Sequence, residues 1–192
     1  MRCILCEKLS FKGICGKCAK KLLSEQKHTR ILEGGLKVYS FFGYSGITPI
    51  LHVKHRFWGH RILKQIASYT FGKFAKEFEF GEKVAAVGVD DKSNGAYSHT
   101  AVLAHALKSP SITPVYGVLR AKNAVTYSGQ SYEFRRKNPR RFIISKKIKK
   151  FKYAILIDDV VTSGFTLREA KDTLAKEGVE TLFALVLADA KE

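Results

Sequence analysis

The chain alternates between short apolar runs and amphipathic segments, and the clearest example lies near the carboxyl terminus. Residues 153–157 are five mostly branched apolar residues that run into two adjacent carboxylates, Asp158 and Asp159. A continuous apolar run of this kind indicates a strand that is buried on both faces, as in a parallel sheet. After a short loop rich in hydroxyl groups, a helical pattern covers residues 167–177. The segment therefore predicts one strand–loop–helix unit.

The other helices and strands are predicted in the same way, from the spacing of apolar residues and from the glycines and prolines between segments. Strands are predicted at 36–42, 84–89, 113–119, 142–144 and 181–188, and helices at 19–26, 61–78 and 95–107. One further helix is predicted to begin at Thr48 and Pro49, because proline is favoured in a first helical turn. The other segments are interpreted as a polar linker at 28–35, a turn at 43–46 and a long basic loop at 120–141. This order predicts an α/β fold with a mainly parallel sheet flanked by helices.

Length and composition limit the class of protein. The 192 residues predict one domain with a small appendage, divided into residues 1–27 and 28–192, and a hydrophobic content of 45% is enough for a normal core. No apolar run is long enough to span a membrane, and the amino terminus lacks the pattern of a secretory signal. We therefore expect a cytoplasmic protein.

The protein is strongly basic, with a net charge of +17 from 34 basic and 17 acidic residues. Residues 120–152 hold twelve lysines and arginines, and Glu133 is their only acidic residue. A solvated basic surface is the simpler interpretation, but so dense a block favours an anionic partner. Aromatic residues such as Tyr132 and Phe134 lie among the cations, which favours single-stranded DNA. The predicted DNA-binding residues are Arg135, Arg136, Lys137, Arg140 and Arg141.

All four cysteines fall in the first 18 residues, as two pairs with a two-residue spacing. Four thiolates at this spacing can complete a tetrahedral zinc site. Disulfides are uncommon in a cytosolic chain, and a redox pair would be expected at the start of a helix after a strand. The sequence therefore predicts a structural zinc ion with no open coordination position, held by Cys3, Cys6, Cys15 and Cys18.

The loop at 162–166 carries three hydroxyl groups and Gly164 at a predicted helix N-terminus. Free N–H groups and hydroxyls at such a position suit a phosphate. The two carboxylates before the loop suit a sugar diol, or a Mg²⁺ ion bound to phosphates. A simpler interpretation is a capping box formed by Thr166 and Glu169, but a cap does not explain the adjacent carboxylates. The pattern predicts a site for a sugar 5-phosphate.

Residues 155–166 resemble the phosphoribosyl-pyrophosphate (PRPP) signature of type I phosphoribosyltransferases: an apolar triplet, an acidic pair and Thr-Ser-Gly-x-Thr. The resemblance implies that PRPP binds together with Mg²⁺ and that Asp158 and Asp159 are the catalytic residues. The residues implied to contact PRPP are nine consecutive ones and one lysine: Asp158, Asp159, Val160, Val161, Thr162, Ser163, Gly164, Phe165, Thr166 and Lys92.

The whole chain resembles the ComF family of phosphoribosyltransferase-like proteins, which are associated with bacterial competence for DNA uptake. The elements that carry this resemblance are the cysteine cluster, the aromatic segment 42–46, the basic segment 54–59, and the segments 94–99 and 128–138, followed by the PRPP signature. The resemblance implies a role in natural transformation, with single-stranded DNA and proteins of the competence machinery as partners.

One loop departs from the family pattern. The pyrophosphate loop of the family reads Val-Pro-Val-Pro-Leu, whereas this chain has Gly88, Asp90 and Asp91 in that region. Carboxylates repel pyrophosphate unless a cation lies between them, which favours ligand binding over transfer. We therefore expect a single-stranded-DNA-binding protein that retains a PRPP pocket. The alternatives are an active transferase, with an acceptor that the sequence does not identify, and a PRPP-sensing regulator that docks a competence protein.

Overall fold

The computed structural model describes residues 2–24, 28–54, 56, 58–89, 97–123 and 130–191, with the side chain of Tyr132 left out. The helices, in chain order from α1 to α7, are Gly16–Leu23, Tyr44–Val53, Gly59–Tyr69, Phe71–Glu77, His99–Ala106, Tyr132–Lys137 and Phe165–Lys176. The strands, from β1 to β8, are His28–Ile31, Lys37–Gly43, Val84–Gly88, Ile112–Pro114, Leu119–Ala121, Phe142–Ile144, Tyr153–Val161 and Glu180–Asp189. A 3₁₀ turn covers Lys146–Lys150.

Six strands form the main sheet in the order β1-β2-β8-β7-β3-β4. Every neighbouring pair is parallel except β1 and β2, which are antiparallel at one edge. Strands β5 and β6 form a separate antiparallel pair. The predicted α/β class with a mainly parallel sheet is confirmed.

Helices cover both faces of the sheet, and β7 shows why its sequence is apolar throughout. Ile155 and Ile157 belong to a core that also contains buried residues of α2, α3, α4 and α5. Ala154 and Leu156 point to the opposite core, which α7 covers. All four residues are fully buried, as the two-residue period of a strand between two helical layers requires.

The strand predictions need three corrections. Strand β7 continues to Val161, because Asp158, Val160 and Val161 all pair with β8. The segment interpreted as a linker begins with β1, which pairs with β2 at the sheet edge. The single strand predicted at 113–119 is two strands, β4 and β5, separated by a turn in which Gly117 has a φ of 64°.

The helix predictions also change. The helix predicted at 61–78 is divided into α3 and α4 at Thr70, whose hydroxyl donates to the carbonyl of Ile66 at 2.8 Å. Helix α2 begins at Tyr44, so the predicted turn at 43–46 contains the first helical turn and Pro49 lies inside the helix. Within the predicted basic loop at 120–141, the structure contains α6 and strand β5.

The amino-terminal segment packs on α3. Ile14 is fully buried in the core that α3 also lines. The amide of Gln65 accepts a hydrogen bond from Ile14 N at 3.0 Å and donates one to Ile14 O at 2.6 Å. A Cβ at Gly13 would lie 2.6 Å from Cγ1 of Ile62, so the backbone approaches α3 closely. The boundary between residues 1–27 and 28–192 stays a prediction.

None of the helices in the part of the chain that the structure describes is long and apolar enough to cross a membrane.

The close approach of α2 and α3 generates a stability prediction. A Cβ at Gly59 would lie 1.9 Å from the backbone oxygen of Val53, which no side-chain movement can relieve. We expect Gly59→Ala to destabilise the protein by about 1–3 kcal/mol, which lowers the midpoint of thermal unfolding by several degrees. Gly81→Ala is the matched control, because a Cβ there meets nothing within 4 Å. Equal unfolding midpoints for the two variants would show that the predicted clash is relieved without cost.

Candidate functional site

The acidic pair lies at the carboxyl end of the central strand. Asp158 is paired with Val186 of β8, and the carboxylates therefore lie on the ordered end of β7 and not in the following loop. The backbone N–H of Asp159 donates to Oδ1 of Asp158 at 2.8 Å. In open parallel sheets this edge is where ligands bind.

A cation lies against the pair. Nζ of Lys54, at the end of α2, forms an ion pair with Oδ2 of Asp159, and the two side chains are 18% and 15% exposed. Most of the ion pair is therefore shielded from water, so removal of either partner would leave an uncompensated charge.

The two carboxylates have opposite pKa shifts. Burial, and then the negative charge of Asp159, raises the pKa of Asp158 well above the ordinary value for an aspartate. Burial would also raise the pKa of Asp159, but the charge and the hydrogen bond of Lys54 outweigh it, and the pKa of Asp159 is lowered. Asp158 therefore retains a proton to higher pH than Asp159, which remains ionised.

Two aromatic side chains hold the backbone of Lys54. The hydroxyl of Tyr97 donates to the carbonyl oxygen of Lys54, and Nε2 of His99 lies 2.9 Å from the same oxygen. Burial, and then the charge of Asp159, raises the pKa of Tyr97 to about 12, so the hydroxyl keeps its proton. These contacts fix the end of α2 beside the carboxylates.

The loop after β7 depends on Gly164. Its φ of 79° lies in the left-handed region, and a Cβ there would lie 2.4 Å from Cδ1 of Leu32. Gly164 is the residue before α7, which begins at Phe165 and has no acidic residue in its first turn. The helix N-terminus is therefore open to an anion.

The capping-box interpretation is wrong. Thr166 lies inside α7 and is not its N-cap, and the N-cap residue, Gly164, has no side chain that could accept a hydrogen bond from the first turn. The carboxylate of Glu169 instead accepts from the backbone N–H groups of Arg140 at 2.9 Å and Arg141 at 2.5 Å. Glu169 thus ties the basic segment to α7.

Two arginines from different elements contact Thr162. Arg30 of β1 donates to the carbonyl oxygen of Thr162 at 2.5 Å, and its Nε lies 2.7 Å from Oδ2 of Asp189 at the end of β8. Arg135 of α6 donates to the hydroxyl of Thr162. Two guanidinium groups therefore contact Thr162, and that of Arg30 is also paired with Asp189.

The other predicted PRPP contacts divide into three groups. Ser163, Phe165 and Thr166 are partly exposed at the start of α7. Val160 and Val161 pack in the two hydrophobic cores, so they offer a ligand their backbone. The third group contains only Lys92, which lies outside the described residues. Asp90 and Asp91 of the same loop lie outside them as well.

Gly88, in contrast, lies within the described residues and is the buried last residue of β3. A Cβ there would lie 2.8 Å from Oγ1 of Thr100, so a side chain would push α5 away. This close packing explains why glycine occupies the position.

Three of the predicted DNA-binding residues, Arg135, Arg136 and Arg141, line an open groove of about 940 Å³ between α6, β6 and the outer face of α7. Lys137 and Arg140 are not among its lining residues. Four further cations line the groove: Lys122, directly after β5, and Arg168, Lys171 and Lys176 of α7.

The four cysteines form one cluster. Sγ atoms of Cys3, Cys6, Cys15 and Cys18 all lie within 4.8 Å of one another, and those of Cys6 and Cys15 are 3.8 Å apart. Four sulfurs about 2.3 Å from a tetrahedral zinc ion are about 3.8 Å apart, so the cluster has the dimensions of a zinc site. The backbone N–H of Cys15 also donates to Sγ of Cys3 at 3.3 Å.

Sequence reasoning missed Arg30, Lys54, Tyr97 and His99 as site residues. Arg30 lay in the predicted linker. Lys54, Tyr97 and His99 lie in the segments 54–59 and 94–99, where the sequence indicates a family resemblance but assigns no individual role to these side chains.

A comparison with protein families matches the segment that contains this site. Residues 71–192, which include the acidic pair and the α7 loop, match the phosphoribosyl transferase domain family. No curated protein matches the sequence of the chain significantly.

Comparison with solved structures finds similarity over about two thirds of the chain. A hypoxanthine-guanine phosphoribosyltransferase from Bacillus anthracis is 20% identical, with a TM-score of 0.41 and coverage of 68% of each chain. A hypoxanthine phosphoribosyltransferase from Trypanosoma cruzi, in a ternary substrates complex, is 15% identical, with a TM-score of 0.43 and coverage of 69% of this chain and 70% of that one. One from Staphylococcus aureus is 18% identical, with a TM-score of 0.41 and coverage of 68% and 64%. Since the family match spans more than half of the sequence and contains the strand, loop and helix that form the site, the chain belongs to the phosphoribosyl transferase domain family.

Proposed function

We propose that the chain binds PRPP, or a related 5-phosphoribosyl ligand, together with Mg²⁺ at the carboxyl edge of the sheet. The observation that carries the proposal is the position of Asp158 and Asp159 at the end of β7, directly before the loop at which α7 begins. A carboxylate pair suits the hydroxyls of a ribose, and a helix N-terminus suits a phosphate.

The 5-phosphate is proposed to bind at the start of α7. This helix has twelve residues and no acidic residue in its first turn, so its N-terminus attracts an anion. Thr162, Ser163 and Thr166 add hydroxyls, and Gly164 allows the backbone to approach the phosphate closely. Arg135 lies beside Thr162 and adds a guanidinium group to the same place.

The ribose is proposed to lie against the acidic pair. Because the pKa of Asp158 is raised and that of Asp159 is lowered, Asp159 accepts hydrogen bonds as a carboxylate, and Asp158 is the one of the two that more readily holds a proton. Such a pair matches two neighbouring hydroxyls, which both donate and accept. Mg²⁺ would come with the pyrophosphate, whose oxygens it prefers, and would neutralise part of its charge.

Transfer of the phosphoribosyl group to an acceptor is the alternative function at this site. Asp158 and Asp159 would then be catalytic residues that stabilise the positive charge developing on the ribose as pyrophosphate leaves. Family membership favours this alternative. The carboxylates Asp90 and Asp91 in the pyrophosphate loop favour binding without transfer.

A second proposed function is binding of single-stranded DNA in the cytoplasm during natural transformation. The order of the cysteine cluster, the segments 42–46 and 54–59 and the PRPP signature supports membership of the ComF group, and competence proteins would then be further partners. The specific observation is the groove beside α7, whose described lining residues include seven cations and three acids. Two of the acids are already engaged, Glu33 with Arg168 and Glu169 with backbone N–H groups.

We also propose that the cysteine cluster holds a structural zinc ion. The amino-terminal segment is too short to bury a core of its own, and its fold is expected to depend on the metal. All four coordination positions would be filled by thiolates, so this metal would take no part in chemistry at the carboxyl edge.

The carboxylate proposal predicts that replacing both Asp158 and Asp159 by asparagine weakens binding of Mg²⁺·PRPP at least about tenfold, because the hydrogen bond to the charged Asp159 alone contributes about 1.5–3 kcal/mol. Asparagine has nearly the same shape, but it leaves Lys54 without its charged partner, so the thermal unfolding midpoint is measured together with the affinity. Isothermal calorimetry gives the affinity, and Asp172→Asn, on the exposed side of α7, is the control. Wild-type affinity in the double variant would contradict the assigned role.

The zinc proposal predicts about one equivalent of zinc in the freshly purified protein and less than about one tenth of an equivalent after Cys15→Ser. Hydrogen exchange should then increase most in residues 2–24, whereas β7 should stay better protected, because it also packs in the core under α7, to which residues 2–24 contribute nothing. Lys17→Ser, within the same cysteine pair and exposed, is the control. A wild-type protein without zinc would refute the assignment.

The groove proposal predicts a change in the salt dependence of DNA binding. Replacing Lys122, Arg136 and Arg141 by alanine should weaken binding of an oligothymidylate and reduce the log–log salt slope by about 0.7 for each lost phosphate contact. Arg135 is left in place because it contacts Thr162.

The control variant loses the same charge elsewhere, by replacement of the exposed Lys146, Lys147 and Lys150. If the two variants bind DNA equally, the groove is not the DNA site. PRPP affinity should be unchanged in both, because neither set contacts the acidic pair or the loop.

A further inference from the structure

We propose that the cysteine-rich segment carries a second contact for single-stranded DNA, in which an unpaired base stacks on Phe11 and the backbone follows a groove between this segment and α3. This inference rests on the proposed binding of single-stranded DNA, but it concerns a surface that the groove beside α7 does not include.

Phe11 is the observation from which the inference starts. Its side chain is 105% exposed, the highest value among the large hydrophobic residues that the structure describes. The side chain therefore contributes nothing to the core, and both of its ring faces are accessible to a ligand. An exposed ring face offers a stacking surface that every base can use.

Phe11 stands at one side of a groove of about 490 Å³. On one side the groove is lined by Phe11 and Lys12 of the cysteine-rich segment, and on the other side by Arg61, Lys64 and Ser68 of α3. All five are exposed. None of the described residues that line the groove is acidic, in contrast to the groove beside α7.

Charge decides which occupant fits. The groove has three cations, and residues 2–24 as a whole contain six lysines and arginines against one acid, Glu7. A polyanion is favoured over a neutral apolar peptide, since the potential of so uneven a surface attracts negative charge. The exposed ring favours a single strand, because the bases of a duplex are already stacked on one another.

The walls of the groove are held in place. Gln65, which lines the groove, is hydrogen-bonded to both backbone groups of Ile14, and Gly13 lies against Ile62. The backbone of the cysteine-rich segment close to Phe11 is therefore held against α3, so the two sides of the groove do not have to be brought together when a ligand binds. The site lies on the layer formed by α2 to α5, whereas α7 covers the opposite face of the sheet.

The test compares two ligands on the zinc-loaded full chain: an oligothymidylate and an oligonucleotide of the same length that has abasic sites throughout. We expect Phe11→Ala to weaken binding of the oligothymidylate by about five- to a hundredfold, the equivalent of one lost stacking contact, and to leave binding of the abasic strand unchanged. Phe11→Trp should preserve affinity, and Phe11→Leu should lose it as alanine does. Leu9→Ala removes an exposed apolar side chain from the same segment but outside this groove, and serves as the control.

Replacing both Arg61 and Lys64 by alanine should weaken binding of both ligands and reduce the salt slope by about 1.4, since about 0.7 is expected for each phosphate. Unchanged oligothymidylate affinity in Phe11→Ala and in the Arg61/Lys64 variant would overturn this inference while leaving the groove beside α7 standing. Equal losses for the two ligands in Phe11→Ala would show that the ring does not stack. If the wild-type chain binds neither ligand, the proposed DNA function and this inference both fail, whereas binding of PRPP is unaffected.

Discussion

Pairing of β7 with β3 on one edge and with β8 on the other holds the acidic pair in place. Because the ladder with β8 continues through Val161, the backbone of Asp158 and Asp159 is fixed by hydrogen bonds and not by a loop. The helices on both faces bury the apolar half of the strand, so the carboxylates are placed where apolar burial ends and solvent begins. The neighbouring loop, α7 and the contact with Lys54 all take their positions from this strand.

Two adjacent carboxylates at such an edge carry an electrostatic cost, and the structure offsets it in two ways. Lys54 supplies an opposite charge to Asp159, and the pKa of Asp158 is raised, so Asp158 takes up a proton more readily than Asp159 does. The lysine is itself fixed, because Tyr97 and His99 both contact its carbonyl oxygen. A site of this kind is prepared for a ligand with hydroxyls at one end and phosphate at the other, which is the chemistry proposed here.

The excess of positive charge is divided between two layers of the molecule. On the α7 side, Glu169 ties the backbone of Arg140 and Arg141 to the helix, so the basic segment lies over α7 and borders a groove. On the α3 side, the cysteine-rich segment adds Phe11 and Lys12 to a smaller groove that has no acidic lining residue. These are chemically different surfaces, since one mixes acids and cations and the other combines cations with an exposed ring.

The sequence alone determined the α/β class, the strand at 153–157, the helix after it, the Cys3–Cys18 cluster and the acidic pair. These are local features: periodicity, a turn glycine and a tight cysteine spacing each express a short-range constraint. Tertiary structure decided the rest. Strand β1 forms in a polar segment because β2 offers it an edge, the 61–78 pattern is broken by the back-bonding of Thr70, and β7 extends through its carboxylates because β8 continues beside it. Arg30, Lys54 and Tyr97 are separated from Asp158 and Asp159 by more than fifty residues, so only the order of strands in the sheet brings them to one edge.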